Sequence, residues 1–260
     1  MIYGAIFGDI AGSKHEYRPV RTSNFDLTDG YFTDDSVMTL AVANWLTTEN
    51  RTRTQLIESL QQYGRKYPQA GYGGTFRMWL IDGDPQPYNS WGNGSAMRVS
   101  ACAWAAYSLS EAEELAEISA EVTHNHPEGV KGAKATAAAI YLARTNHSKE
   151  YIKKYIEDTY GYNLDRTVQG IIDKGYRFDV SCQGSVPEAI VAFLDAEDYE
   201  SAVRNAIMLG GDADTQACIT GAIAEAFYGV PDWVIETVNK KLDPFLRESL
   251  NNFINYYNQI

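Results

Sequence analysis

The chain reads as an all-α protein folded as one domain. Apolar residues recur at three- and four-residue spacing along most of its length, and no segment sustains the period-two alternation of a half-buried strand. No linker, low-complexity tract or internal repeat interrupts the 260 residues, so a single domain over 1–260 is expected.

The elements follow in order. Gly4, Gly8 and Gly12 share one face of a first helix and permit another helix to approach closely. Asp9, in the same segment, is either a buried structural acid or a support for a nearby site. Helix 36–47 carries Val37, Leu40, Ala41 and Trp45 at helical spacing, and 54–64, 95–108, 111–122 and 131–144 read alike. The run Lys134 to Arg144 is alanine-rich, a strong helix former on propensity alone. Further helices are expected near 149–159, 165–174, 187–195, 199–209, 215–228, 232–240 and 244–257. Pro187, Pro231 and Pro244 stand near helix starts, and Gly229 is a plausible stop. Ala217, Gly221 and Ala224 in 215–228 imply tight helix contacts. Segments 13–32 and 65–93 are expected as long loops, which in compact helical domains are often functional.

A net charge of -12 argues against a nucleic-acid-binding face, which would show clustered Lys and Arg. Cys102, Cys182 and Cys218 are widely spaced, lack zinc-type spacing and read as buried thiols of a reducing cytoplasm. No stretch has the pattern of a signal peptide or the length of a membrane span, so a cytoplasmic location is expected, and a monomer.

Two acidic clusters carry the chemistry. Thr33-Asp34-Asp35 and Asp212-Ala213-Asp214-Thr215 each pair two carboxylates with a threonine hydroxyl and each runs into an apolar helix. A single cluster of this kind is more often a helix cap, since Asp and Thr accept orphan backbone N–H groups and suit the helix dipole. Two with matching composition exceed what capping requires. Brought together, four carboxylates would repel severely without cations, and an oxygen-only set suits Mg²⁺ or Mn²⁺, so two metals are expected. Gly210-Gly211 beforehand allows a sharp turn.

Between the clusters, Ser90-Trp91-Gly92-Asn93-Gly94-Ser95-Ala96-Met97-Arg98 places Gly-Asn-Gly-Ser before an apolar helix. Such a loop is either an anion site built of backbone N–H groups or a plain turn with Ser95 as N-cap. Trp91 either stacks on a base or anchors the loop in the core. In Thr123-His124-Asn125-His126-Pro127, a zinc reading fails for want of a nearby third ligand. His124 is read as a donor to a substrate oxygen or a carboxylate, and His126 equally as a tie for a helix end. Glu16 is either a loop carboxylate that enters and leaves a metal centre or a solvated surface group. No Lys or Arg clamp stands out near these motifs, which weighs against a phosphoester hydrolase.

Taken in order, Gly8-Asp9-Ile10-Ala11-Gly12, Thr33-Asp34-Asp35, Gly92 to Arg98, Thr123 to Pro127 and Gly210 to Thr215 resemble the ADP-ribosylglycohydrolase family. That family includes the dinitrogenase reductase-activating glycohydrolase and the eukaryotic ADP-ribosylhydrolases. The resemblance spans nearly the whole chain. It implies an orthogonal helical bundle around a central dinuclear Mg²⁺ or Mn²⁺ site, and hydrolysis of the bond joining ADP-ribose to an acceptor. By that likeness Thr33, Asp34, Asp35, Asp212, Asp214 and Thr215 are the metal ligands, with Asp214 a candidate bridge. Gly92, Asn93, Gly94 and Ser95, with Met97 behind them, would hold the diphosphate, and His124 would lie near the ribose. Glu16, Asp34 and Asp35 would be the catalytic carboxylates. Ala213 departs from the family's usual threonine, and the loops that read the acceptor match least. An ADP-ribosylated protein, with the sugar on arginine, is the first expectation. Serine O-linked, nucleobase-linked or small-molecule conjugates come next, then a non-catalytic, crystallin-like binder, against which the complete set of ligand positions argues.

Overall fold

A computed structural model describes residues 1–259. They form α1 (Tyr3–Gly12), α2 (Asp34–Leu46), α3 (Arg53–Lys66), α4 (Gly74–Ile81), α5 (Gly94–Met97), α6 (Ser100–Ala105), α7 (Leu109–Glu121) and α8 (Pro127–Arg144). There follow α9 (Lys149–Tyr160), α10 (Val168–Asp173), α11 (Cys182–Leu194), α12 (Tyr199–Met208), α13 (Ala213–Tyr228), α14 (Asp232–Lys241) and α15 (Pro244–Tyr257). No helix among the described residues is long and apolar enough to cross a membrane. The all-α expectation holds.

α13 is the centre. Its residues from Ala213 to Glu225 are all buried, because α1, α8, α11 and α12 pack around it. The closest partner is α1, and the two run antiparallel. Gly4 faces Gly221, Gly8 faces Ala217 and Gly12 faces Ala213 and Asp214. A Cβ on Gly8 would lie 2.0 Å from the Ala217 carbonyl oxygen, so these glycines let two backbones touch. The glycine face legible in the sequence therefore sets the C-terminal end of α1 beside the N-terminal end of α13.

Most starts follow the expected capping chemistry. Ser, Thr or Asp side chains accept first-turn N–H groups at α2, α3, α7, α9, α10, α11, α12 and α15. Four expectations need correction. The helix expected over 95–108 is broken at Arg98–Val99, where Arg98 turns inward to bond the Ser119 carbonyl and Thr123. The 65–93 loop contains α4, whose Phe76, Trp79 and Leu80 are buried at helical spacing. Flanking glycines and prolines mask that signal. α11 begins at Cys182 with Ser181 as cap, so Pro187 lies inside it rather than at its start. α10 is limited to Val168–Asp173. One isolated bridge, Gly92 to Ser181, clamps the glycine loop to the segment before α11: Asn93 N donates to Val180 O at 2.8 Å and Cys182 N to Trp91 O at 2.9 Å.

Candidate active site

The two acidic clusters meet at two helix N-termini. Thr33 caps α2, with Asp34 and Asp35 in its first turn; Asp212 precedes α13, with Asp214 in its first turn. The positive ends of both helix dipoles thus face the acids. Thr33 Oγ1 lies 3.1 Å from Asp35 Oδ2 and 3.5 Å from Asp214 Oδ2, across 181 residues of sequence. Asp9 completes the floor. Its carboxylate accepts from Thr33 N at 2.8 Å, Thr33 Oγ1 at 2.6 Å, Ser36 N at 3.0 Å and the Ser36 hydroxyl. It therefore holds the start of α2 in place while one of its oxygens stays within 4.8 Å of ligand atoms on Asp35 and Asp214. A lone acid in the apolar run Ile6 to Ala11 was the sequence signal for this residue.

Glu16 joins Asp212 and Asp214 in a second group of mutually close carboxylate oxygens. It is half-buried on a loop that Arg21 and Arg204 pin down. Arg21 donates to the Met208 carbonyl at 2.8 Å, and Arg204 to the carbonyls of Ser23 and Phe25. Asp34 faces the cavity and lies against Gly71, whose φ of +119° a side chain would strain and whose Cβ would stand 2.9 Å from the carboxylate.

Burial and mutual repulsion both favour the protonated forms of these acids. Burial, then the neighbouring charges of Asp9 and others, pushes Asp34 up to about 8. Burial pushes Asp9 up to about 6. Asp35 rises well above the carboxylate range from burial and then the charges of Asp9, Asp34 and Asp212, Asp214 does so from burial and then the charges of Asp35 and Asp212, and Asp212 rises from burial. Glu16 is raised by burial first, with Asp212 and Asp9 adding to it. Asp35 Oδ1 is buried with no hydrogen-bond partner. An unbonded buried carboxylate oxygen among like charges fits a cation ligand, and the donor set contains only oxygen. These clusters could hold metal ions.

The acids form one end of a cavity of about 510 Å³, also lined by Tyr17, Tyr31, Tyr88, Gly92, Asn93, Gly94, Met97, Arg98, His124 and Phe178. Asn93 donates to Asp212 Oδ2 at 2.7 Å and to Ser185 Oγ at 3.1 Å, so its amide ties the loop to the second cluster. Ser95 is buried, its hydroxyl donates to the Gly129 carbonyl at 2.7 Å, and it does not line the cavity; it neither caps α5 nor offers its side chain to a ligand. Met97 lies behind the acids, its sulfur 4.0 Å from Thr215 Oγ1. His124 lines the cavity, whereas His126 caps α8 by accepting from Glu128 N. Trp91 is 54% exposed and anchors no core. Arg98 lines the cavity but is 1% exposed and forms no ion pair among the described residues, its guanidinium being turned to the Ser119 carbonyl and Thr123. An arginine four residues after Gly94, in a break of helical pattern, gave no local sign of this.

The ADP-ribosylglycohydrolase family model matches residues 1–258. The chain belongs to the ADP-ribosylglycohydrolase family. It is thereby a hydrolase of glycosidic bonds. It is 28% identical to ADP-ribosylhydrolase ARH3 of Homo sapiens, over 87% of this chain and 84% of the relative. It is 26% identical to ADP-ribosylarginine hydrolase Tri1 of Pseudomonas putida (strain GB-1), over 90% of this chain and 72% of the relative. Among solved structures, an ADP-ribosylglycohydrolase-related protein complex superposes with a TM-score of 0.73 over 98% of this chain and 96% of that one. At 21% identity that likeness speaks for the fold.

Proposed function

We propose that this family member hydrolyses the bond between ADP-ribose and a protein arginine, using two Mg²⁺ or Mn²⁺ ions. The observation that carries the reading is the meeting of Asp34, Asp35, Asp212, Asp214 and Glu16, with Asp9 buried beside Asp35 and Asp214, in the wall of a cavity also lined by the glycine loop. A volume of about 510 Å³ suits a nucleotide-sized ligand.

Thr33, Asp34, Asp35, Asp212, Asp214 and Thr215 are the proposed ligands, with Asp9 fixing Thr33. Bound there, the cations supply counter-charge to the acids and polarise oxygens of the ribose. Gly92 N and Asn93 N are engaged by Ser90 Oγ and the Val180 carbonyl, so the N–H groups of Gly94 and Ser95 at the start of α5 are the ones offered to the diphosphate, and Arg98 provides the nearby positive charge. His124 closes that wall. Trp91 presents an exposed ring edge-on to His126 and is available to an adenine face. Glu16 holds a proton more readily than an ordinary glutamate, which suits proton exchange with the departing acceptor or the attacking water. At the mouth, Tyr17 and Phe178 pack with ring centroids 5.6 Å apart beside Glu16, and Tyr31 is exposed nearby. Aromatic faces with a carboxylate favour a guanidinium, which supports arginine as the acceptor. The name of the Pseudomonas relative agrees.

The test is release of ADP-ribose from arginine-, serine- and nucleobase-linked substrates, with Mg²⁺, with Mn²⁺ and with chelator. Metal-dependent release from the arginine conjugate is expected. Release from the serine conjugate alone sinks the arginine assignment, and no release from any, with ADP-ribose still bound, makes the protein a non-catalytic binder.

A further inference from the structure

We infer that Thr123 is a positioning residue: fixed by buried Arg98, it holds His124 as a neutral imidazole with its proton on Nε2, aimed at an anionic group on the Gly92–Ser95 loop. The inference rests on the reading that ADP-ribose occupies this cavity.

The direction of the hydrogen bonds follows from the donors available. A guanidinium only donates. Arg98 Nη2 lies 2.9 Å from Thr123 Oγ1 and also bonds the Ser119 carbonyl, so Thr123 must accept from it. The Thr123 hydroxyl has one hydrogen, and His124 Nδ1 stands 2.7 Å away to receive it. The opposite arrangement, Nδ1–H donating to Thr123, would leave the hydroxyl proton of a fully buried threonine unbonded. With Nδ1 accepting, a neutral ring carries its proton on Nε2.

The ring edge then points at the loop. A Cβ built on Gly94 would stand 3.2 Å from His124 Nε2, and one on Gly92 3.5 Å. The Nε2–H joins the N–H groups of Gly94 and Ser95 as a donor to one anion, those of Gly92 and Asn93 being bonded to Ser90 Oγ and the Val180 carbonyl. Two features keep the ring neutral: its burial, and the repulsion of the Arg98 cation, which together hold it well below the usual histidine range. Arg98 thus acts twice, through space as a charge and through Thr123 as a selector of tautomer.

The experiment uses ¹⁵N-histidine-labelled, Mg²⁺-loaded protein and long-range ¹H–¹⁵N spectra. Wild type is expected to show His124 as the neutral Nε2–H form from pH 6 to 8. Thr123→Val should admit the Nδ1–H form and weaken ADP-ribose binding by roughly tenfold or more, with Mg²⁺ affinity unchanged. Thr123→Ser should restore both the spectrum and the affinity. A wild-type His124 that is protonated or Nδ1–H at pH 7 overturns the inference whether or not the valine variant folds, as does a tautomer unaltered by valine. Failure of wild type to bind ADP-ribose, with the Nε2–H form seen, counts instead against the functional reading.

Discussion

Gly8→Ala tests how the site is assembled. The new methyl would stand 2.0 Å from the Ala217 carbonyl oxygen, 2.4 Å from its carbon and 2.7 Å from Cys218 N. All three are backbone atoms, so no side chain can rotate away. Contacts of a Cβ below 3.0 Å essentially never occur, so α1 and α13 must part by about 1 Å at this level. Helix propensity alone predicts the opposite sign, a gain of about 1 kcal/mol for Gly→Ala. Overpacking costs about 1–3 kcal/mol, and rigid backbone on both sides argues for the upper end, leaving a net loss of about 2 kcal/mol. At about 2–4 °C per kcal/mol the thermal midpoint should fall by roughly 4–8 °C. Asp9 follows Gly8, so parting the helices also moves Asp9 from Asp214, and Mg²⁺ affinity should drop with stability. Calorimetric melting with and without Mg²⁺ checks both. Gly74→Ala, at the first position of α4 with nothing within 4 Å, is the control. A Gly8→Ala midpoint at or above wild type would refute the close-contact argument.

Asp35→Asn should abolish most hydrolysis yet raise the stability of chelated protein, because one member of a repelling buried group is neutralised; equal activity in chelator would remove the metals from the account. The same repulsion fixes a pH dependence. Asp34 near 8 and Asp9 near 6 are raised above their unfolded values, so their contribution is full below about 4 and lost as pH climbs through those folded values. Chelated protein should therefore melt higher at pH 5.5 than at pH 8, and Mg²⁺ should restore stability most at pH 8. Gly94→Val would push against the His124 ring and cover the loop's N–H groups, so calorimetry should find ADP-ribose affinity reduced at least tenfold with Mg²⁺ binding little altered. Glu16→Gln should lower kcat strongly while ADP-ribose affinity stays within about tenfold, and an unchanged kcat would return Glu16 to the surface.

What the sequence disclosed was local pattern. Two Asp-Asp-Thr type clusters and a glycine face at four-residue spacing announced both halves of the acidic floor and the helix pair that joins them. The role of Asp9 was half-visible, because an acid among Ile6, Phe7 and Ile10 must be bonded, but its partners Thr33 and Ser36 lie over twenty residues away. The line Arg98–Thr123–His124 was hidden for a similar reason: Thr123 and His124 are neighbours, and only the break after α5 turns Arg98 towards them. Asn93 and Ser95 read as part of a loop that meets an anion with backbone N–H groups or as a plain turn, and the pattern says nothing of where their side chains go. The fold directs those side chains to Asp212, Ser185 and Gly129. α4 was missed because its short apolar spacing sits between glycine- and proline-rich flanks.

The pairing of α1 with α13 also orders events in time. The helices meet across about 200 residues, so on a ribosome adding about 5–20 residues per second α1 would wait roughly 10–40 s for its partner. During that interval Ile6, Phe7 and Ile10 lack the helix that covers them, and Asp9 lacks Asp214. Every carboxylate contributed by the first forty residues remains in an unfinished basin until the last quarter of the chain arrives. Any ion these acids can hold is then captured only among the closing steps of folding, and a chain interrupted before α13 would leave the apolar face of α1 uncovered and the acidic basin incomplete.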